Sequence, residues 1–265
     1  MSKQSNYESI VEWLFHQNYS TGSKEVSFER EDILEAVKEL GLSRPKNLGD
    51  VIYSYRYRKE LPISISETAP VGYRWIIRPR GQSLYTFSLT NQPPIAPNAA
   101  LSVIKIPDAT PGVIAKYAFD DEQALLAKLR YNRLIDIFTG IVCYSLQNHL
   151  RTQVQGIGQI ETDELYVGVD RSGTHYVLPI QAKGQRDRIE IVQIEQDFAL
   201  CRERFSELAC RAIGAQFLDK EIIALFEFVC ENDVVSIREE KHYRLVSPEE
   251  ITSEDIVRYK TALPH

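Results

Sequence analysis

Two short strand-like segments, separated by a turn, constrain the fold of this chain more than any other feature. Residues 160–169 and residues 176–181 each combine an apolar stretch with polar residues at one end. Between them stands Asp170-Arg171-Ser172-Gly173, which has the composition of a tight turn. Two short segments rich in β-branched and aromatic residues on either side of a turn are typical of paired strands, so the pattern predicts a β-hairpin.

Polar side chains are concentrated at the open end of this predicted hairpin. Glu161 and Asp163 share one face of the first strand, and Gln181 and Lys183 share one face of the second, because side chains alternate faces along a strand. In a hairpin the start of the first strand lies beside the end of the second, so we expect the four side chains to meet. A carboxylate and another oxygen ligand can hold a hard divalent cation, and a nearby lysine can orient the attacking water.

The acidic strand, the turn and the Gln-x-Lys strand resemble the PD-(D/E)xK nuclease superfamily, which includes many type II restriction endonucleases. The resemblance covers roughly residues 120–246 and implies a restriction-endonuclease-like mixed sheet flanked by helices. Asp163 stands at the position of the family's Asp, Gln181 at that of its Glu, and Lys183 at that of its Lys. It further implies a catalytic group of Asp163, Gln181, Lys183 and Glu161, and a Mg²⁺ ion, with Mn²⁺ as a substitute. Asp163, Gln181 and Glu161 would hold the ion, and Gln193 and Gln196 on the next helix would support the site.

The chain departs from the family pattern at two positions. No proline precedes Asp163, and Gln181 is neutral, so part of the metal-binding charge must come from elsewhere. Glu161 is the first candidate for that carboxylate, and Glu164 is less favoured because it points to the opposite face. An acid on the preceding helix is the alternative, and the two candidates there are Glu122 and Asp136.

The first 90 residues predict a winged helix-turn-helix domain. Helical spacing marks residues 6–18, a stretch that begins at Ser27, and a third stretch that begins at Ser43 and ends at residues 61–62. Three short strand patterns follow, at residues 63–65, 73–77 and 84–89. The third helix would contact double-stranded DNA through Arg56, Tyr57 and Lys59, and the turn at residues 78–81 would form a wing that carries Arg78 and Arg80.

Residues 91–112 contain five prolines and predict a linker to a nuclease domain at residues 113–265. In that domain, residues 119–151 and 189–212 predict helices, with a bend at Gly140. Strands are predicted at residues 222–229, 234–237 and 242–246. The fold class is therefore α/β (α+β), with one mixed sheet in the second half. Further DNA contacts are predicted at the end of the first helical stretch, by Gln147, Asn148, His149 and Arg151, and after the lysine, by Gln185, Arg186, Asp187 and Arg188.

Composition restricts the class of protein. The net charge of −6 disfavours binding DNA over the whole surface, but local basic patches remain, as in residues 44–59. No apolar run approaches the roughly 18 residues of a membrane span, and the N-terminus lacks the apolar core of a signal peptide. The four cysteines form no CxxC pair and the histidines no HxxxH pair, so a zinc site is disfavoured. These features predict a cytoplasmic protein.

Together these patterns predict a magnesium-dependent DNA endonuclease that acts in restriction or another form of phage defence. Cleavage of both strands favours a homodimer, and restriction favours a partner methyltransferase encoded nearby. The alternative is a non-catalytic DNA-binding regulator on a degenerate nuclease fold. A third interpretation is a nuclease that acts on RNA or branched DNA.

Overall fold

The structure is a computed structural model that describes residues 5–117, 121–185 and 187–261. The chain forms two compact units. The first comprises Met1–Pro94 and Arg151–Ile160, and the second comprises Ile95–Leu150 and Glu161–His265. No helix in the described part of the chain is both long and apolar enough to cross a membrane.

The first unit combines helices with a three-stranded antiparallel sheet, in which the strand order is β1-β3-β2. Its apolar residues pack into one core around Phe15 and Phe87, whose rings meet edge to face. The elements are α1 (Asn6–Asn18), β1 (Glu25–Glu29), α2 (Asp32–Glu39), α3 (Leu48–Tyr57), α4 (Ile63–Ser66), β2 (Arg74–Gly81) and β3 (Leu84–Thr90).

Three predictions for this unit were wrong in detail. The helix expected from Ser27 begins at Asp32, because Val26 and Phe28 alternate into the core as part of β1. Residues 63–65 belong to a short helix rather than a strand. The expected turn at residues 78–81 is the end of β2, and the chain reverses one step later at Ser83, whose φ is 61°.

The second unit is built on a mixed eight-stranded sheet. Its order is β4-β11-β10-β9-β7-β6-β5, and β8 pairs with β7. The pairs β4–β11, β7–β8 and β7–β9 are parallel, whereas β6–β7, β9–β10 and β10–β11 are antiparallel. The strands are β4 (Val103–Pro107), β5 (Val142–Val154), β6 (Gly158–Val169), β7 (His175–Lys183), β8 (Ala209–Cys210), β9 (Ala212–Phe217), β10 (Ile222–Glu231) and β11 (Val234–Val246). The helices are α5 (Gly112–Tyr117), α6 (Asp121–Tyr131), α7 (Leu134–Thr139), α8 (Ile191–Arg204), the 3₁₀ turn Pro248–Glu250, and α9 (Ser253–Thr261).

The mixed α+β class predicted from sequence is confirmed, and the hairpin forms as β6 and β7. Other boundaries were wrong. Residues 142–151 form β5 instead of continuing a helix, and the break between helices falls at Arg133, with φ 49°, rather than at Gly140. The predicted linker contains β4, and the helix expected to reach residue 212 ends at Arg204. Residues 234–246 form one strand. In these cases pairing within the large sheet overrides local helical periodicity.

The two faces of the β6–β7 hairpin pack against different helices. On one face, Tyr166 and Ile180 belong to the main core, together with residues of α6 and α7. On the other face, Leu165 and Val177 pack against Cys201 of α8. The face that packs against α6 and α7 is named the α6 side. The face that packs against α8 is named the α8 side.

Candidate active site at the open end of the β6–β7 hairpin

Asp163 and Lys183 meet where the two strands of the hairpin stop pairing. The β6–β7 register runs from Val169↔His175 to Glu164↔Ile180. Just beyond it, Asp163 Oδ2 accepts a hydrogen bond of 2.8 Å from the backbone N–H of Ala182. Lys183 Nζ lies 3.3 Å from the same Oδ2 atom. Asp163 Oδ1 accepts no hydrogen bond from any described residue, so one carboxylate oxygen is available for a ligand.

A second acid approaches this lysine from α6. Glu122 Oε1 lies 3.9 Å from Lys183 Nζ, and the Glu122 side chain is about one-third exposed. Of the two acids proposed on the preceding helical stretch, Glu122 is therefore near the site. Asp136 instead pairs with Arg133 on α7 and accepts the backbone N–H of Cys143.

Gln181 belongs to a buried hydrogen-bonded group on the α8 side. It has no exposed surface. Its Nε2 donates to Asp197 Oδ2 at 3.0 Å and to the backbone carbonyl of Glu161 at 3.2 Å. Its Oε1 accepts from Gln193 Nε2 at 3.1 Å. The amide is therefore bonded at both ends within the protein.

The sequence around the start of α8 explains why Gln193 is available. Gln193 Oε1 accepts the backbone N–H of Glu190 in a capping box, which leaves the Gln193 amide nitrogen free to reach Gln181. Gln193, which was predicted to support the site, therefore contacts Gln181 in the structure. Gln196 is also buried on α8, but the residues of this helix that contact Gln181 are Gln193 and Asp197.

Asp197 is a site residue that the sequence reasoning missed. It is completely buried, and its Oδ1 accepts a 2.6 Å hydrogen bond from Thr162 Oγ1. Burial raises the pKa of Asp197 to about 7, against the opposing effect of hydrogen bonds from Thr162 and Gln181. Gln193 and Asp197 are four residues apart on a helix, and this spacing was the available signal that both face the same strand.

The remaining acids of β6 have different surroundings. Glu164 is completely buried on the α6 side, where Arg130 Nη2 lies 2.7 Å from its Oε1 and Ser145 donates to the same oxygen. Glu161 contributes its backbone carbonyl to the Gln181 group, and its side chain is partly buried.

The donor atoms fit a hard cation in their chemistry. The part of the chain that the structure describes gathers no three His, Cys, Asp or Glu side chains in a metal-binding arrangement. The oxygens of the candidate ligands are instead the uncommitted Oδ1 of Asp163, the carboxylate of Glu122, and Oε1 of the fully buried Gln181, which already accepts from Gln193. All are oxygens, which Mg²⁺ and Mn²⁺ prefer over nitrogen or sulfur.

The predicted DNA contacts on the first unit differ in accessibility. On α3, Arg56 is half-buried and its guanidinium lies 4.6 Å over the ring of Tyr57, which is itself half-buried. The cations that the end of this helix exposes are Arg58 and Lys59. At the end of β2, Arg78 is half-buried, and Arg80 is exposed but paired with Glu25.

The polar cluster expected at a helix end lies instead on β5. Gln147, His149 and Arg151 are exposed on this edge strand, and a ring nitrogen of His149 lies 2.8 Å from Gln123 of α6. In the loop after Lys183, Arg186 falls outside the described residues.

Comparison of the chain with protein-family models, curated proteins and solved structures found no match.

Proposed function

We propose that this protein is a magnesium-dependent endonuclease that hydrolyses phosphodiester bonds in DNA. The observation that supports it most is the meeting of Asp163 with Lys183 at 3.3 Å on adjacent strands. Glu122 extends this group on the other side of the lysine. A partly buried lysine between two acids has little value for stability, because the charges lose hydration, but it is the arrangement that phosphoryl chemistry uses.

Asp163 would hold the cation through Oδ1, Gln181 through Oε1, and Glu122 or Glu161 would supply the further carboxylate. The chemistry that such a cation supplies is polarisation of the phosphate and a lower pKa for a bound water. Lys183 is held by Asp163 and by the carbonyl of Ala182. In this position it would orient the attacking water and offset the negative charge that develops on the phosphate.

The first unit would bind the DNA. Its order of helix, strand, three helices and a hairpin, with β1-β3-β2 pairing, supports the winged-helix interpretation. We propose that α3 enters the major groove and that Arg58 and Lys59 contact the backbone with it. Restriction or phage defence by a homodimer is the setting we propose for this activity.

Incubation of the protein with plasmids of varied sequence, with Mg²⁺ or Mn²⁺, tests the proposal. Wild-type protein is expected to convert supercoiled plasmid to linear or fragmented DNA. Lys183→Ala is expected to lower the rate by about 100- to 10 000-fold, the usual contribution of a proton-handling group. Lys241→Ala removes a half-exposed lysine from β11 and is the matched control. Persistence of intact plasmid under every metal and sequence would refute the proposal.

A second candidate function is a non-catalytic DNA-binding regulator. The observation that favours it is the neutral Gln181, whose amide is bonded at both ends inside the protein. Mobility-shift binding without cleavage, and with no dependence on Mg²⁺, would select this function over the endonuclease. Competition with RNA and branched DNA in the same assay would identify the substrate class.

A further inference from the structure

Three hydrogen bonds fix the orientation of the Gln181 amide. A nitrogen can only donate and an uncharged amide oxygen can only accept. The two groups facing Nε2 are acceptors, namely Asp197 Oδ2 and the carbonyl of Glu161, whereas the group facing Oε1 is the donor Gln193 Nε2. Reversal of the Gln181 amide would place its oxygen against the two acceptors and its nitrogen against the donor Gln193 Nε2, so all three hydrogen bonds would be lost. The oxygen is therefore held away from Asp197.

Asp197 lies directly behind this amide and has only neutral hydrogen-bond partners. Thr162 donates to Oδ1 and Gln181 donates to Oδ2, so both oxygens accept, as in an ionised carboxylate. No ion pair joins Asp197 to a Lys or Arg side chain among the described residues. A fully buried acid without an ion-pair partner is costly.

We infer that Asp197 supplies, one hydrogen bond behind Gln181, the negative charge that a carboxylate at position 181 would supply directly. This rests on the proposed function. A carboxylate that accepts a hydrogen bond from an amide NH₂ draws positive charge to the nitrogen and leaves the amide oxygen more negative. Carboxylates in the same relation to a metal-binding histidine orient it and raise its basicity. Asp197 is in this sense a positioning residue for Gln181.

A charge-swap experiment tests the inference directly. Mg²⁺ affinity is measured by calorimetry on the protein without DNA at pH 8, where Asp197, with its pKa raised to about 7, is mostly ionised. Cleavage is measured in parallel, for wild type, Asp197→Asn, Gln181→Glu, and the double variant. Asp197→Asn is expected to weaken Mg²⁺ affinity by about 10- to 100-fold, as loss of a partner behind a metal ligand does. Gln181→Glu alone places two carboxylates in contact and should be the least stable variant. The double variant moves the charge to position 181, so its Mg²⁺ affinity should return to that of wild type.

A merely structural role for Asp197 gives a different result. In that case the double variant would bind Mg²⁺ no better than Asp197→Asn, and this outcome would overturn the inference. So would an Asp197→Asn variant with wild-type affinity. Asp233→Asn, in the exposed β10–β11 turn, removes the same charge and is the matched control. If Asp197→Asn does not fold, Thr162→Val replaces it. This variant removes one hydrogen bond to the carboxylate, and it should weaken Mg²⁺ affinity by a smaller factor; an unchanged affinity would count against the inference.

The two proposals fail in distinguishable ways. Wild-type protein that binds Mg²⁺ but cuts no nucleic acid overturns the proposed function and leaves the charge swap to decide the role of Asp197. Wild-type protein that binds no Mg²⁺ in the titration overturns the inference about Asp197. Cleavage that persists in that case, measured with DNA and Mg²⁺ together, would retain the proposed function.

Discussion

The two sides of the β6–β7 hairpin bury acids in opposite ways. On the α6 side, Glu164 is completely buried and meets the guanidinium of Arg130. On the α8 side, Asp197 is buried to the same extent, but its hydrogen-bond donors are the neutral groups of Thr162 and Gln181. A neutralised acid is explained by the stability of the fold, whereas an acid without a cation partner needs another explanation.

A third buried acid shows which arrangement is usual in this sheet. Glu227 of β10 is buried and pairs with both Arg211 and Arg238. Transfer of a charge from water to the interior costs several kcal/mol, so pairing is the expected solution. Asp197 is the exception, and it lies beside the one group of residues that the sequence marked for chemistry. The two sides of the hairpin therefore differ in whether the buried acid has a cation partner.

Removal of the cation on the α6 side should have the largest effect on stability. Arg130→Met leaves Glu164 buried without its partner, and loss of one member of a buried pair costs about 3–5 kcal/mol. We expect the lower end of that range, because the Arg130 side chain is 40% exposed. Urea unfolding measures the change in free energy.

Arg238→Met is the control for this prediction. It also removes a partner of a buried acid, but Arg238 is 61% exposed and Arg211 remains to neutralise Glu227. The expected loss is about 0–1 kcal/mol. Equal losses for Arg130→Met and Arg238→Met would show that the Glu164–Arg130 pair is not what stabilises the α6 side.

Replacement of Glu122 should affect cleavage more than stability. Glu122→Gln removes the acid beside Lys183, and we expect the cleavage rate to fall by about 10- to 100-fold, a change of about 1.4–2.8 kcal/mol in activation free energy. Glu161→Gln provides the comparison, since Glu161 is the alternative source of the carboxylate. A larger loss for Glu161→Gln would assign the metal-binding charge to Glu161 instead.

The sequence predicted the hairpin and its polar residues because both depend on local signals, namely two strand-like segments and the turn between them. Asp163 and Lys183 meet, and the order of strand, turn and strand was enough to place them together. The long sheet was harder to predict. Residues 142–151 have helical spacing, yet they pair with β6, the next strand along the chain, and this pairing overrides the local helical pattern.

The Asp197 group was missed for a related reason. Gln193 and Gln196 were selected by residue type, whereas the contact with Gln181 depends on which face of α8 meets the sheet. From sequence alone, Gln181 was predicted to be a metal ligand, and it carries no charge. Only the three-dimensional arrangement places a carboxylate directly behind it.

The smallest predicted effect is a pH dependence of stability that originates at Asp197. Burial raises the pKa of Asp197 to about 7 in the native protein, above the ordinary value of 3.8 for the unfolded chain. Between these two pKa values the native protein holds a proton that the unfolded chain has released, so a rise in pH favours unfolding. Without added metal, the contribution of Asp197 to the free energy of unfolding should fall by about 1 kcal/mol from about pH 6 to pH 8. Asp197→Asn should remove this slope and Asp233→Asn should retain it, as measured by urea unfolding across that range. A slope that survives in Asp197→Asn would mean that it originates at another group, and the prediction for Asp197 would be wrong.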